Sequence, residues 1–157
     1  MKAAVVLTAL LALLAGTARA AERSFNTIKL VSVTTKAAAD TNRAPGEPAN
    51  ETTVSSVREY DRLYNAERRF GKPAKAQVGT DRALLVRFAS GRAWSTVVAT
   101  LPAGTIRSMG YMRNVAGEAE LQVVDGTGRY ANVTGWLSIR DVGTSVFAAN
   151  TYTLRMP

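Results

Sequence analysis

From Phe25 onward, apolar and polar residues alternate in short runs, and Gly, Asn, Asp and Pro separate the runs. A period of two rich in Val, Thr, Tyr, Ile and Phe marks half-buried β-strands, and little of the chain shows a helical period. Phe25 to Thr34 reads as the first strand, with Ile28, Leu30 and Ser32 on one face. Lys36 to Ser55 is polar, carries Pro45, Gly46 and Pro48, and reads as the one long loop. Further strands are expected over Ser56 to Asn65, Ala76 to Phe88, Arg92 to Leu101 and Thr105 to Met112. Glu118 to Val124, Asn132 to Val142 and Ser145 to Met156 complete the set. Eight short antiparallel strands joined mostly by tight turns predict an all-β domain that closes into an eight-stranded β-barrel. Spacing alone leaves a two-sheet sandwich open.

Residues 1–20 stand apart from this pattern. Lys2 precedes an almost unbroken Ala, Val and Leu run from Ala3 to Gly16, and Thr17-Ala18-Arg19-Ala20 ends in small residues. This is the build of a cleavable signal peptide cut after about Ala20, leaving 21–157 as a single secreted, extracytoplasmic domain. The apolar run falls short of the roughly 20 residues of a comfortable span, so no stable membrane anchor is expected.

Composition narrows the chemistry more than the fold. The chain has no His and no Cys. Imidazole bases, thiolate nucleophiles, disulfides, zinc knuckles and iron–sulfur clusters are thereby excluded, and no metal or cofactor is called for. The 20 Lys and Arg outnumber 12 Asp and Glu, and loss of Lys2 and Arg19 with the leader leaves 18 cations. The excess is dispersed. Its densest point, Arg68-Arg69 with Lys72 and Lys75, lacks the signatures of a nucleic-acid reader, so no nucleic-acid partner is expected.

The most specific stretch is Gly126-Thr127-Gly128-Arg129-Tyr130 with Gly135 following. Two glycines around Thr127 suit a tight turn, Tyr130 suits a cap on the turn or the barrel end, and Gly135 within a strand suits a bend. No helix follows, which argues against a phosphate cradle. The stretch resembles the Gly-Thr-Gly-x-Phe/Tyr-x4-Gly signature shared by plant dirigent proteins and allene oxide cyclases, most closely their exported actinobacterial branch. Glu59 to Asn65, Trp94 to Gly110 with Leu101-Pro102-Ala103-Gly104-Thr105-Ile106 inside it, and Tyr152-Thr153-Leu154 extend the resemblance over Arg58 to Pro157. It implies an eight-stranded barrel with an apolar lumen, a homo-oligomer (a trimer in plant members) and an unsaturated small-molecule ligand. Val133-Thr134-Gly135 lacks the Arg that plant dirigent proteins often carry there, and Phe25 to Thr34 contains no acid to match the plant first-strand acids.

Candidate site residues follow from alternation. Tyr60, Arg62 and Tyr64 share one face of the second strand, and Glu59 and Asp61 share the other; one set must face the lumen. The resemblance favours Asp61 as an acid, with Tyr60 or Tyr64 as an aromatic wall and Tyr64 as a possible assistant in catalysis. A rim Asp61 paired with Arg62 or Arg87 is the plain alternative. Trp94, Tyr111, Trp136 and Arg140 are candidates for binding an unsaturated ligand, with core or interface packing as the alternative.

Two functions fit. One is an isomerase or cyclase that steers ring closure or coupling of an unsaturated small molecule. The other is a non-catalytic, lipocalin-like barrel that binds an apolar ligand. An open lumen with converging carboxyl, Tyr and Arg favours catalysis; a lumen filled with Leu, Val and Ile excludes both.

Overall fold

The computed structural model describes residues 25–40, 43–66, 73–115, 118–141 and 147–157. The expected leader and the Arg68, Arg69 and Lys72 cluster lie outside these residues.

Eight strands run in order round one closed barrel: β1 (Phe25–Ala39), β2 (Thr53–Ala66), β3 (Pro73–Phe88), β4 (Ala93–Leu101), β5 (Gly104–Val115), β6 (Glu118–Gly126), β7 (Thr134–Asp141) and β8 (Phe147–Arg155). Every neighbouring pair is antiparallel, and β8 pairs with β1 from Phe25–Arg155 to Val33–Phe147, leaving no sheet edge. The barrel, not the sandwich, is therefore the architecture.

β1 and β2 reach further into the polar stretch than the side-chain pattern suggests. Lys36, Ala37, Ala38 and Ala39 continue the ladder opposite Tyr60, Glu59, Arg58 and Val57. Backbone pairing needs no apolar side chain, so exposed residues extend a strand once its partner is in place. The ladder shifts at Thr35, whose hydroxyl donates to the Tyr60 carbonyl at 2.8 Å. The connection between β1 and β2 is correspondingly shorter than the expected 36–55 loop.

Alternation divides each strand between lumen and exterior. Leu30, Leu63, Ile106, Leu121, Leu137, Tyr152 and Leu154 point inward, and each is at most 2% exposed. They fill the lower half of the barrel. A short 3-10 turn, Gly128–Tyr130, lies across that end, with Tyr130 packed on the core. This turn is stitched to the β4–β5 turn: the Arg129 amide donates to the Ala103 carbonyl at 2.8 Å, and the Thr105 amide to the Thr127 hydroxyl at 3.1 Å. Two sequence phrases distant in the chain thus form one closed end. Replacing Ile106, fully buried here, by Val removes one methylene; we expect about 1 kcal/mol lost, read as a lower denaturant midpoint at unchanged slope.

A second, smaller cluster lies outside the barrel wall. Leu84, Val86 and Phe88 of β3 face outward and are buried against Ala44, Trp94 and Tyr111. The segment before β2 straps over them. Glu51 holds it in place, accepting from Ser90 Oγ at 2.9 Å and Tyr111 Oη at 3.1 Å and pairing with Arg92.

Candidate functional site

The upper half of the barrel is open. A cavity of about 480 Å³ enters there, at the end where β3 turns into β4 and opposite the 3-10 turn. Its walls combine apolar residues such as Val97, Met112 and Ile139 with Ser32, Thr34, Ser95, Asn114 and Asn150. Its acids are Glu59, Asp61, Asp81 and Asp141. The lumen is thus apolar only in its filled lower half, which corrects the expectation of an apolar cavity.

The register of β2 and β3 makes the acids converge. Asp61 pairs directly with Asp81, and Glu59 with Ala83, so three carboxyls share one patch of inner wall. Asp61 is 8% exposed and Asp81 3%. Like charges placed opposite each other on one face repel, and burial adds the cost of desolvation. Burial is the main force pushing the Asp81 carboxyl up to about 8, followed by the charge of Asp61, a hydrogen bond with Asp61 and the charge of Glu59. With both groups ionised no donor lies between them, and one oxygen of each is buried without a partner. A single proton turns the contact into a hydrogen bond, so near neutral pH Asp81 is an acid held beside a second carboxyl. Burial also raises Glu59, and the charges of Asp61 and Asp141 raise it further.

Tyr152 lies where the filled half meets the dyad. It is fully buried, and its hydroxyl has no protein partner. Burial, then the charges of Asp81 and Asp61, hold its pKa well above the usual value, so it remains a neutral O–H at the floor of the acidic patch. Asn150, 3% exposed, lines the cavity with an unpartnered Oδ1.

Among the residues named from sequence, Asp61 and Arg140 line this cavity, together with Glu59 on the Asp61 face and Arg87. Asp61 makes no ion pair with Arg62 or Arg87 among the described residues, because the whole chain alternation turns Arg62 outward while Arg87 stands at the exposed mouth. Tyr60, Arg62 and Tyr64 face outward, which corrects their assignment as a lumen wall. The Tyr60 ring lies 5.9 Å from both Lys36 Nζ and the Arg82 guanidinium, on the outer surface. Trp94 and Tyr111 are also outside the lumen. Their rings meet edge-on at 5.3 Å beneath the strap, and Arg92 stacks on Tyr111 at 4.3 Å. Trp136 is an outer-surface residue, 44% exposed, with Phe25 at 5.7 Å. Arg140 sits at the rim, 3.9 Å from Glu118. Gly126, Thr127, Gly128, Tyr130 and Gly135 belong to the closed end and do not line the cavity.

Sequence reasoning missed Asp81, Asn150 and the lumen position of Tyr152. Asp81 follows Gly79-Thr80 and reads as part of a turn. Its signal was parity: it shares a face with Ala83 and Leu85.

No protein-family model matches the chain, and no curated protein matches it. Solved structures do. A pyocyanin demethylase superposes with a TM-score of 0.61 at 19% identity, covering 82% of this chain and 99% of its own. The Diels-Alderase AbmU from Streptomyces koyangensis gives 0.60 at 16% identity, covering 88% of this chain and 71% of its own. A pterocarpan synthase dirigent protein gives 0.58 at 12% identity, covering 83% of each chain. The fold is the barrel of dirigent proteins and Diels-Alderases. At these identities the likeness is one of fold, so the chemistry has to be argued from the cavity.

Proposed function

We propose that this barrel is an isomerase of the cyclase kind, holding an unsaturated small molecule in its open lumen and steering ring closure or coupling to one stereoisomer. The observation that carries the reading is the Asp61–Asp81 pair, facing a cavity of about 480 Å³. A cavity of that size confines a folded substrate of drug-like dimensions and selects one reactive conformer. The proton held on Asp81 is donated to a substrate oxygen as negative charge develops there during ring closure, and it returns to Asp81 as the product forms, because the neighbouring Asp61 charge favours the protonated acid. Solved barrels of this fold include enzymes named as Diels-Alderases and a cyclase, which supports the reading. A carrier of apolar ligands has no use for buried, mutually repelling carboxyls, which weighs against the lipocalin-like alternative. Export through residues 1–20, membership of the exported branch and assembly into a homo-oligomer belong to the same proposal. Exposed Phe25 and Trp136 offer an apolar outer patch for that assembly.

The test is stereochemical. Conjugated enones and polyenes able to cyclise spontaneously are incubated with the full chain, and the product enantiomers are separated. We expect one enantiomer in excess and faster product formation. Asp61→Asn is expected to slow this about 100-fold, within the range of acid–base assistance. Racemic product at the uncatalysed rate across the panel would overturn the proposal.

A further inference from the structure

The charge of the lumen is opposite to that of the chain. The protein is cationic, with a formal charge of +8, yet the inner wall of the cavity carries four carboxyls. The guanidiniums that line it, Arg87 and Arg140, occupy exposed positions at the mouth, and Arg140 lies 3.9 Å from Glu118. Among the residues that line the cavity, the buried polar atoms left open are carboxyl and amide oxygens, and the Tyr152 hydroxyl lies beneath them at the floor. One oxygen each of Asp61 and Asp81 is buried without a partner, and so is Asn150 Oδ1 on β8, which β1 separates from β2. Asn150 is not one of the acids; it comes from β8, pairs with Leu30 and Ile139, and is 3% exposed. Buried acceptors without partners are costly, and a ligand that donates to several of them at once removes that cost.

We propose, resting on the cyclase reading of this same cavity, that its ligand is a cation: an unsaturated or aromatic body bearing a protonated amine. The ammonium lies between Asp61, Glu59 and Asn150, and Val97, Met112 and Ile139 hold the apolar body. A low-dielectric wall around a group of like charges focuses the field and concentrates ligands of the opposite sign. Glu59 fits this arrangement, since the burial and neighbouring acids that raise it are offset once a cation arrives. The acids do not form a metal site: among the described residues no three His, Cys, Asp or Glu side chains are grouped to hold an ion.

Matched pairs of probes test the inference without knowledge of the substrate. Tryptamine and phenethylamine are compared with indole-3-propionate and 3-phenylpropionate at pH 7, on the full isotope-labelled chain. The readout is the amide shifts of Asn114, Ala148 and Asn150, which line the cavity. We expect the amines to saturate these shifts at concentrations at least tenfold below the acids. Glu59→Gln and Asp61→Asn should each weaken amine binding about tenfold, while Arg82→Gln, on the outer face, leaves it unchanged. Equal or tighter binding of the carboxylates overturns the inference. So does the absence of amine shifts at the three amides, insensitivity to Glu59→Gln, or tighter saturation by calcium alone. The two proposals fail separately: amine binding without stereoselective turnover removes the cyclase reading, and turnover of neutral enones without amine binding removes the cation.

Discussion

Replacing Asp81 by Asn is expected to make the protein more stable at pH 8 and to leave it unchanged near pH 4. The sign follows from the proton. In the unfolded chain Asp81 titrates near 3.8, and in the barrel at about 8. Between those values the folded state holds a proton that the unfolded state lacks, so stability falls as pH rises through the interval. The penalty is absent below the unfolded value and complete at about pH 8. A separation of about four units corresponds to something on the order of 5 kcal/mol, borne by a side chain only 3% exposed. Asparagine keeps the shape and places an N–H donor where the acid proton pointed to Asp61, but it does not titrate. We therefore expect Asp81→Asn to gain about 3 to 5 kcal/mol over the wild type at pH 8, measured by denaturant unfolding across a pH series. The same variant should lose the acid that the proposed chemistry needs. A variant less stable than the wild type at pH 8 would show that the carboxyl is not held protonated. Gain of stability with loss of activity is the expected signature of a group retained for function.

That pair also shows what a sequence of this kind reveals and what it conceals. Alternation along Leu121 and Val123 against Glu120, Gln122 and Val124 is local information, and the barrel reproduces it: Leu121 and Val123 are 2% and 1% exposed, and Val124 is 37% exposed. The order of strands and the closed-end turn were legible for the same reason. The site was not, because it depends on register. Asp61 could be named from its own strand, but nothing local says that Asp81 lies opposite it. Parity along β2 left two faces to choose between, and the aromatic face was the natural choice for a ligand wall. The barrel turns it outward because Leu63, fully buried, shares parity with Asp61. Trp94 and Tyr111 misled for a different cause. A strap of chain before β2 covers part of the outer wall, so large aromatic rings are buried there without entering the lumen. No period-two pattern distinguishes an inner face from an outer face covered by a loop.

The last glycine of the signature makes the second large prediction. Gly135 has φ +143°, outside the range that side chains favour, and pairs with Leu154 of β8. A Cβ built there would stand 2.0 Å from the Thr153 carbonyl oxygen and 3.2 Å from Leu154 Cα. Both obstacles are backbone, so relief requires β7 and β8 to part. Gly110 supplies the comparison. Its φ is +146°, nearly the same, but a Cβ there meets nothing within 4 Å. Gly110→Ala should therefore cost the conformational strain alone, about 1 to 2 kcal/mol. Gly135→Ala bears the same strain plus the collision, and we expect at least about 4 kcal/mol, a large part of the total stability of an ordinary domain. The measurement is the unfolding midpoint of each variant at pH 5, where the Asp81 penalty is small; Gly135→Ala should be largely unfolded or recovered only in aggregates. Equal losses in the two variants would remove the close strand approach as the reason for this glycine. The expected difference assigns the signature to closing the barrel end. The part of the chain most recognisable in sequence then builds the scaffold, and the proposed chemistry rests on Asp61 and on Asp81, which no local motif marks.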